Sequence, residues 1–100
     1  MNLPKTVQIC GREFKVIIVK GHSGGSFSVD TNTIKIGSKY PIEMKESFVH
    51  EIIEAVFVMR GMRWKLYEEA RSSDYLFSFK HEEFQNAVID IVIALKDYLK

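Results

Sequence analysis

What this chain has little of narrows its reading first. It has a single cysteine, Cys10, so no internal disulfide can form, and a lone thiol fits a reducing compartment better than a secreted framework. It has almost no charge imbalance: fourteen Lys and Arg against thirteen Asp and Glu leave a formal +1, which indicates no surface for nucleic acid or an acidic membrane. No apolar run approaches the roughly 18 residues that a membrane span needs, and the stretch from Met1 to Lys5 lacks a signal-peptide pattern. Repeats, low-complexity tracts and linkers are also missing. A single soluble domain over residues 1–100, cytoplasmic and with no membrane partner, is therefore expected.

What is present divides into two halves. From Thr6 to Ile36 apolar and polar residues alternate with period two and β-branched residues are frequent, which predicts strands. Val7 and Ile9 precede a turn at Cys10-Gly11-Arg12-Glu13. Phe14 to Val19 then runs almost uninterrupted as apolar residues, as a central strand buried on both faces would. Lys20 to Ser26 is a glycine-rich loop too irregular for a phosphate-binding signature. A shorter hairpin, Phe27-Ser28-Val29 and Ile34-Lys35-Ile36, folds around Asp30 to Thr33.

The second half is helical. Pro41 is placed as a first-turn proline, Glu43 and Glu46 suit a helix N-terminus, and Gly61 after Arg60 is a left-handed cap, so a helix is predicted from about Ile42 to Arg60. Met62 to Asp74 is polar and mixed in charge, and reads equally as a covering loop or a short helix. Tyr75 to Phe79 should pack on the core, with Ser78 capping a second helix that runs to about Leu99. In that helix Phe84, Val88, Ile91, Leu95 and Leu99 define an inward face, with His81 projected onto its edge. The fold class expected is α+β: an N-terminal antiparallel sheet of about four strands, then two helices packed on it and on each other.

The first helix carries the chemistry. Its His50-Glu51-Ile52-Ile53-Glu54 segment places His50 and Glu54 one above the other, with Glu51 turned to one side. Val49, Ile52, Ile53, Val56 and Met59 form the opposite, core-facing side, while Phe57 and Val58 flank the His50/Glu54 stripe. A carboxylate amid apolar neighbours needs a partner or a metal. A zinc site of two His and one Glu would take His50, Glu54 and His81 as ligands, leaving Glu51 to act as general base on water. The other reading is a helix-surface ion pair between His50 and Glu54, worth only about 0.2–0.5 kcal/mol, with His81 a half-buried helix-entry residue. Cys10 reads as a structural thiol and His22 as a solvated loop residue. Trp64, Tyr67 and Tyr75 read as core aromatics, and Arg60, Arg63 and Lys65 as a solvated helix end.

The order Ile34-Lys35-Ile36, then His50 to Val56, then His81-Glu82-Glu83-Phe84 resembles the minimal zincin-like proteins of phages and mobile elements, small relatives of the ImmA/IrrE-type metallopeptidases. The resemblance spans roughly Ser26 to Leu99 and departs where the commoner motif has a second histidine and this chain has Glu54. It implies His50, Glu54 and His81 as metal ligands and Glu51 as the base. It implies Zn2+ as cofactor and a peptide or protein substrate, with the strand around Ile34 to Ile36 pairing with it as an edge. Iron, manganese and nickel suit the same ligands. The function expected is a small zinc-dependent hydrolase, a peptidase; the alternative is a non-catalytic interaction module of a mobile element, and a protein partner completing a cleft fits either.

Overall fold

The computed structural model describes residues 3–65, 75–77, 79–96 and 98. Strand β1 (Thr6–Ile9) turns at Cys10 and Gly11 into β2 (Arg12–Val19), and Ile9 pairs with Arg12 across a two-residue loop. Such tight loops demand positive φ at both central residues, and Cys10 (φ 49°) and Gly11 (φ 80°) supply it. A hairpin follows: β3 (Gly25–Ser28) runs antiparallel to β4 (Thr33–Gly37) around Asp30 to Asn32. Arg12 pins this turn from the neighbouring strand by donating to the Val29 carbonyl (2.6 Å) and to the Asn32 side chain.

The four strands and their place before the helices match the sequence reading, but the pairing is mixed. The order is β1-β2-β4-β3, antiparallel at both margins and parallel between β2 and β4, with Val16 beside Ile34 and Ile18 beside Ile36. β4 is consequently interior. The edge strands are β1 and β3, not the Ile34 to Ile36 segment, because the Asp30 to Asn32 turn folds β3 onto the side of β4 away from β2.

Two helices lie on one face of this sheet. A 3₁₀ turn (Pro41–Glu43) leads into α1 (Met44–Met59), which packs on β4 and β3, while α2 (His81–Ala94) packs on β1 and α1. Contacts at opposite ends show that the helices run antiparallel: Phe48 meets Tyr98 (ring centroids 5.4 Å apart), and Phe57 meets Phe79, just before α2 (5.6 Å). Among the described residues the helices cover one sheet face, so β2 is central in pairing yet not buried on both sides, and Ile17 is 40% exposed. The core is Ile9, Phe14, Ile34 and Ile36 from the sheet against Phe48, Ile52, Ala55 and Val56 from α1.

The end of α1 follows the glycine signal. Gly61 (φ 68°) donates to Val58 O (3.1 Å), Met62 donates to Phe57 O (2.7 Å), and the Met62 side chain is fully buried. These two bonds and the apolar residue after the glycine constitute a Schellman cap. Beyond it β5 (Arg63–Lys65) pairs antiparallel with β6 (Tyr75–Phe77), so a small second sheet begins within the Met62 to Asp74 stretch, where a covering loop or a short helix is expected from sequence. Residues 66–74, Ser78 and Leu99, and the side chains of Trp64 and Tyr75, lie outside the described residues, and with them the expectations placed there. No helix among the described residues is long and apolar enough to cross a membrane.

α2 sits rotated from the face its periodicity suggested. Of the predicted face, Leu95 is buried and Ile91 packs against the core, but the helix turns so that Ala87 and Ala94 are buried beside them while Phe84 and Val88 are 42% and 39% exposed. Alanines let the helix approach its neighbours closely, and seating that face turns His81 outward, where it is exposed rather than inward-facing. The position before the helix belongs to Lys80, whose N–H donates to the Glu83 carboxylate (3.4 Å).

Candidate metal centre

The middle of α1 gathers three ligand-bearing side chains. One donor atom each from His50, Glu51 and Glu54 lies within 4.8 Å of the others. His50 Nε2 is 2.5 Å from Glu54 Oε2 and 4.0 Å from Glu51 Oε2. The i, i+4 spacing produces the close pair, since residues four apart on a helix stack on one face.

Their surroundings differ, and the differences come from where α1 lies. His50 stands out to solvent, its side chain 62% exposed, and Glu54 is recessed at 23%. Glu51, one residue on, is turned toward the sheet and is the one charged residue among the buried described residues. It reaches under the edge strand at Gly25: a Cβ built there would stand 3.0 Å from Glu51 Cγ, 3.0 Å from Lys35 O and 3.1 Å from Ile36 Cδ1. The glycine thus makes room for a carboxylate beneath the sheet margin, a close approach that glycine in a strand often marks.

The donor set suits a divalent ion. Imidazole and carboxylate ligands bind zinc at about 2.0–2.2 Å, so two of them on one ion stand roughly 3.3 Å apart, between the two distances seen here. The 2.5 Å contact is shorter than that separation, so an ion bound by both side chains would have to part them.

His81 does not belong to this group. It opens α2 at the end of α1 that carries Glu54: Phe57, three residues after Glu54, meets Phe79, and Phe79 stacks on Phe84 (5.8 Å, 14° between planes). His81 lies between those two phenylalanines in sequence. It is carried to the same end of the molecule yet stands exposed, outside the three grouped donors.

A second polar cluster escaped the sequence reading. Asp90 Oδ2 accepts from Arg60 Nε at the end of α1 and from Cys10 Sγ (3.4 Å) in the β1–β2 turn, tying three elements together beside an open hollow of about 480 Å³. Burial, then the hydrogen bond and charge of Asp90, push the Cys10 thiol up to about 11, with Arg60 opposing. The Arg60 hydrogen bond, aided by that from Cys10, holds Asp90 below the ordinary carboxylate value of 3.8 against the opposing effect of burial. A protonated thiol is a poor nucleophile, which agrees with a structural role for Cys10. The available signal was Asp90 itself, a lone carboxylate within Ile89-Asp90-Ile91.

Comparison with known proteins finds no matching family model, no curated relative and no similar solved structure.

Proposed function

We propose that this chain is a small metal-dependent hydrolase of zincin type, with zinc the favoured ion and an extended peptide the favoured substrate. The observation that carries the reading is the juxtaposition of His50, Glu51 and Glu54 on one helix, with Glu51 held against strand β3 at Gly25. A bound zinc ion would polarise a carbonyl and acidify water, and His50 and Glu54 would hold it. Glu51, recessed and further from His50, would be the base whose carboxylate accepts a proton from the attacking water. β3 is an outer strand of the main sheet beside that carboxylate, along which an extended chain would be fixed by backbone hydrogen bonds. His81 completes the two-His-one-Glu set only if α2 brings it inward when metal is present.

The experiment measures metal content by mass spectrometry on untagged protein, for wild type and for His50→Ala, Glu54→Gln and His81→Ala, together with cleavage of a fluorogenic peptide library. Near-stoichiometric zinc lost in the first two variants, with turnover abolished in Glu51→Gln while zinc is retained, is the expected result. Failure of wild type to take up zinc refutes the proposal.

One observation favours a second reading, a non-catalytic interaction module. The His50–Glu54 contact at 2.5 Å is already satisfied as a hydrogen bond, with no metal needed to explain it. That module has no turnover to lose, and Glu51→Gln would leave its partner binding intact.

A further inference from the structure

The outer face of α2 reads as one half of a symmetric contact. Val88, Ile89, Val92 and Ile93 are 39%, 57%, 49% and 49% exposed, and their spacing places them on a single stripe opposite the buried Ala87 and Ala94. Four half-exposed aliphatic side chains on one helix are unusual without a partner, because each leaves apolar surface in water. The stripe also has a direction. Glu82 lies at its N-terminal end and Lys96 just past its C-terminal end. Glu83 is taken by the Lys80 N–H at the helix entry, and Glu82 has no part in that cap.

We infer that a second copy of this chain docks on this face, helix against helix and antiparallel, about a twofold axis passing between Asp90 and Ile91. About that axis the stripe is self-complementary. Val88 meets Ile93 of the other copy, Ile89 meets Val92, and Gln85 lies level with Lys96. Glu82 lies three residues further out, or about 4.5 Å at 1.5 Å per residue, within reach of a lysine side chain. Each end therefore places an acid near a base, twice over, which a parallel arrangement would not, since it puts like charges together. This charge pattern selects the chain itself as occupant over an unrelated apolar partner, which would leave Glu82 and Lys96 unmatched. The inference does not depend on the metal-site reading, because the stripe shares no residue with His50, Glu51 or Glu54.

The test is sedimentation velocity on the full chain from about 1 μM to about 1 mM, a range that covers weak to tight association. Wild type should pass from monomer to dimer, with association weakening as salt rises. Val92→Glu, an exposed position, should raise the dissociation constant about ten-fold or more, with an unchanged circular dichroism spectrum showing that the fold survives. Glu82→Lys and Lys96→Glu should each weaken association about five-fold, and the double variant should restore it, since two surface pairs each contribute on the order of a few-fold. A monomer at every concentration overturns the inference, as does a dimer indifferent to Val92→Glu. A double variant no tighter than either single one overturns the antiparallel arrangement.

Discussion

Gly25 and Glu51 occupy one space: the missing side chain of the glycine is where the glutamate passes beneath the edge of the sheet. A methyl group at residue 25 would meet Glu51 Cγ at 3.0 Å, closer than ordinary van der Waals contact, with Lys35 O and Ile36 Cδ1 closing the other sides. Neither backbone oxygen nor core isoleucine can yield easily, so the glutamate must.

Gly25→Ala should accordingly displace the Glu51 carboxylate by a few tenths of an ångström and cost about 1–2 kcal/mol of stability. If Glu51 is the base, turnover should fall by about ten-fold or more while zinc content stays at the wild-type level. Peptide cleavage rate and metal stoichiometry, measured on the same preparation, check both halves.

Zinc uptake should open the His50–Glu54 contact from its 2.5 Å to roughly 3.3 Å, which a zinc-loaded crystal structure reads directly. Glu54→Gln, which removes a charged ligand, should weaken zinc binding by about 100-fold or more.

The Cys10 thiol, raised from its ordinary 9.0 to about 11, makes stability fall at high pH. The group is raised in the folded state, so its contribution is fully present below pH 9.0 and is lost as pH climbs through about 11. Urea midpoints across that window should drop for wild type and stay flatter for Cys10→Ala. Asp90→Asn, which removes a charge that disfavours the thiolate, should speed alkylation of Cys10 at mildly alkaline pH.

Tyr98 buries its hydroxyl with no hydrogen-bond partner among the described residues, and burial raises its ionisation above the usual tyrosine value. Its ring is held by the edge contact with Phe48 and by Lys45 Nζ, 5.7 Å from its centroid. Tyr98→Phe keeps both contacts and drops the unpaired group, so it should stabilise by about 1 kcal/mol. A thermal melt decides the sign.

The sequence showed most where a residue type admits few conformations. Pro41 and Gly61 bracketed α1 nearly to the residue, and alternation together with the apolar run Phe14 to Val19 located the four strands of the main sheet. It showed least where tertiary contact chose among equivalent options. Nothing local told that β4 would insert between β2 and β3, because strand pairing is settled by the shared core. α2 is apolar nearly all round, so periodicity could not say that Ala87 and Ala94, small enough for close approach, would win over Phe84 and Val88. The same rotation put His81 on the exposed side and not on the inward edge. His50, Glu51 and Glu54, in contrast, are fixed relative to one another by a single helix, and their grouping needed no tertiary information.

The parallel seam between β2 and β4 also sets an order of assembly. Each hairpin can form as soon as its own turn closes, on a timescale of about 1–10 μs, since its contacts are local. The seam pairs residues far apart in sequence and carries a larger loop-closure cost. Refolding followed by pulsed hydrogen exchange should therefore show the amides of the β2–β4 seam protected after those of either hairpin, and until then the apolar run Val16 to Val19 borders a strand margin that only β4 will cover.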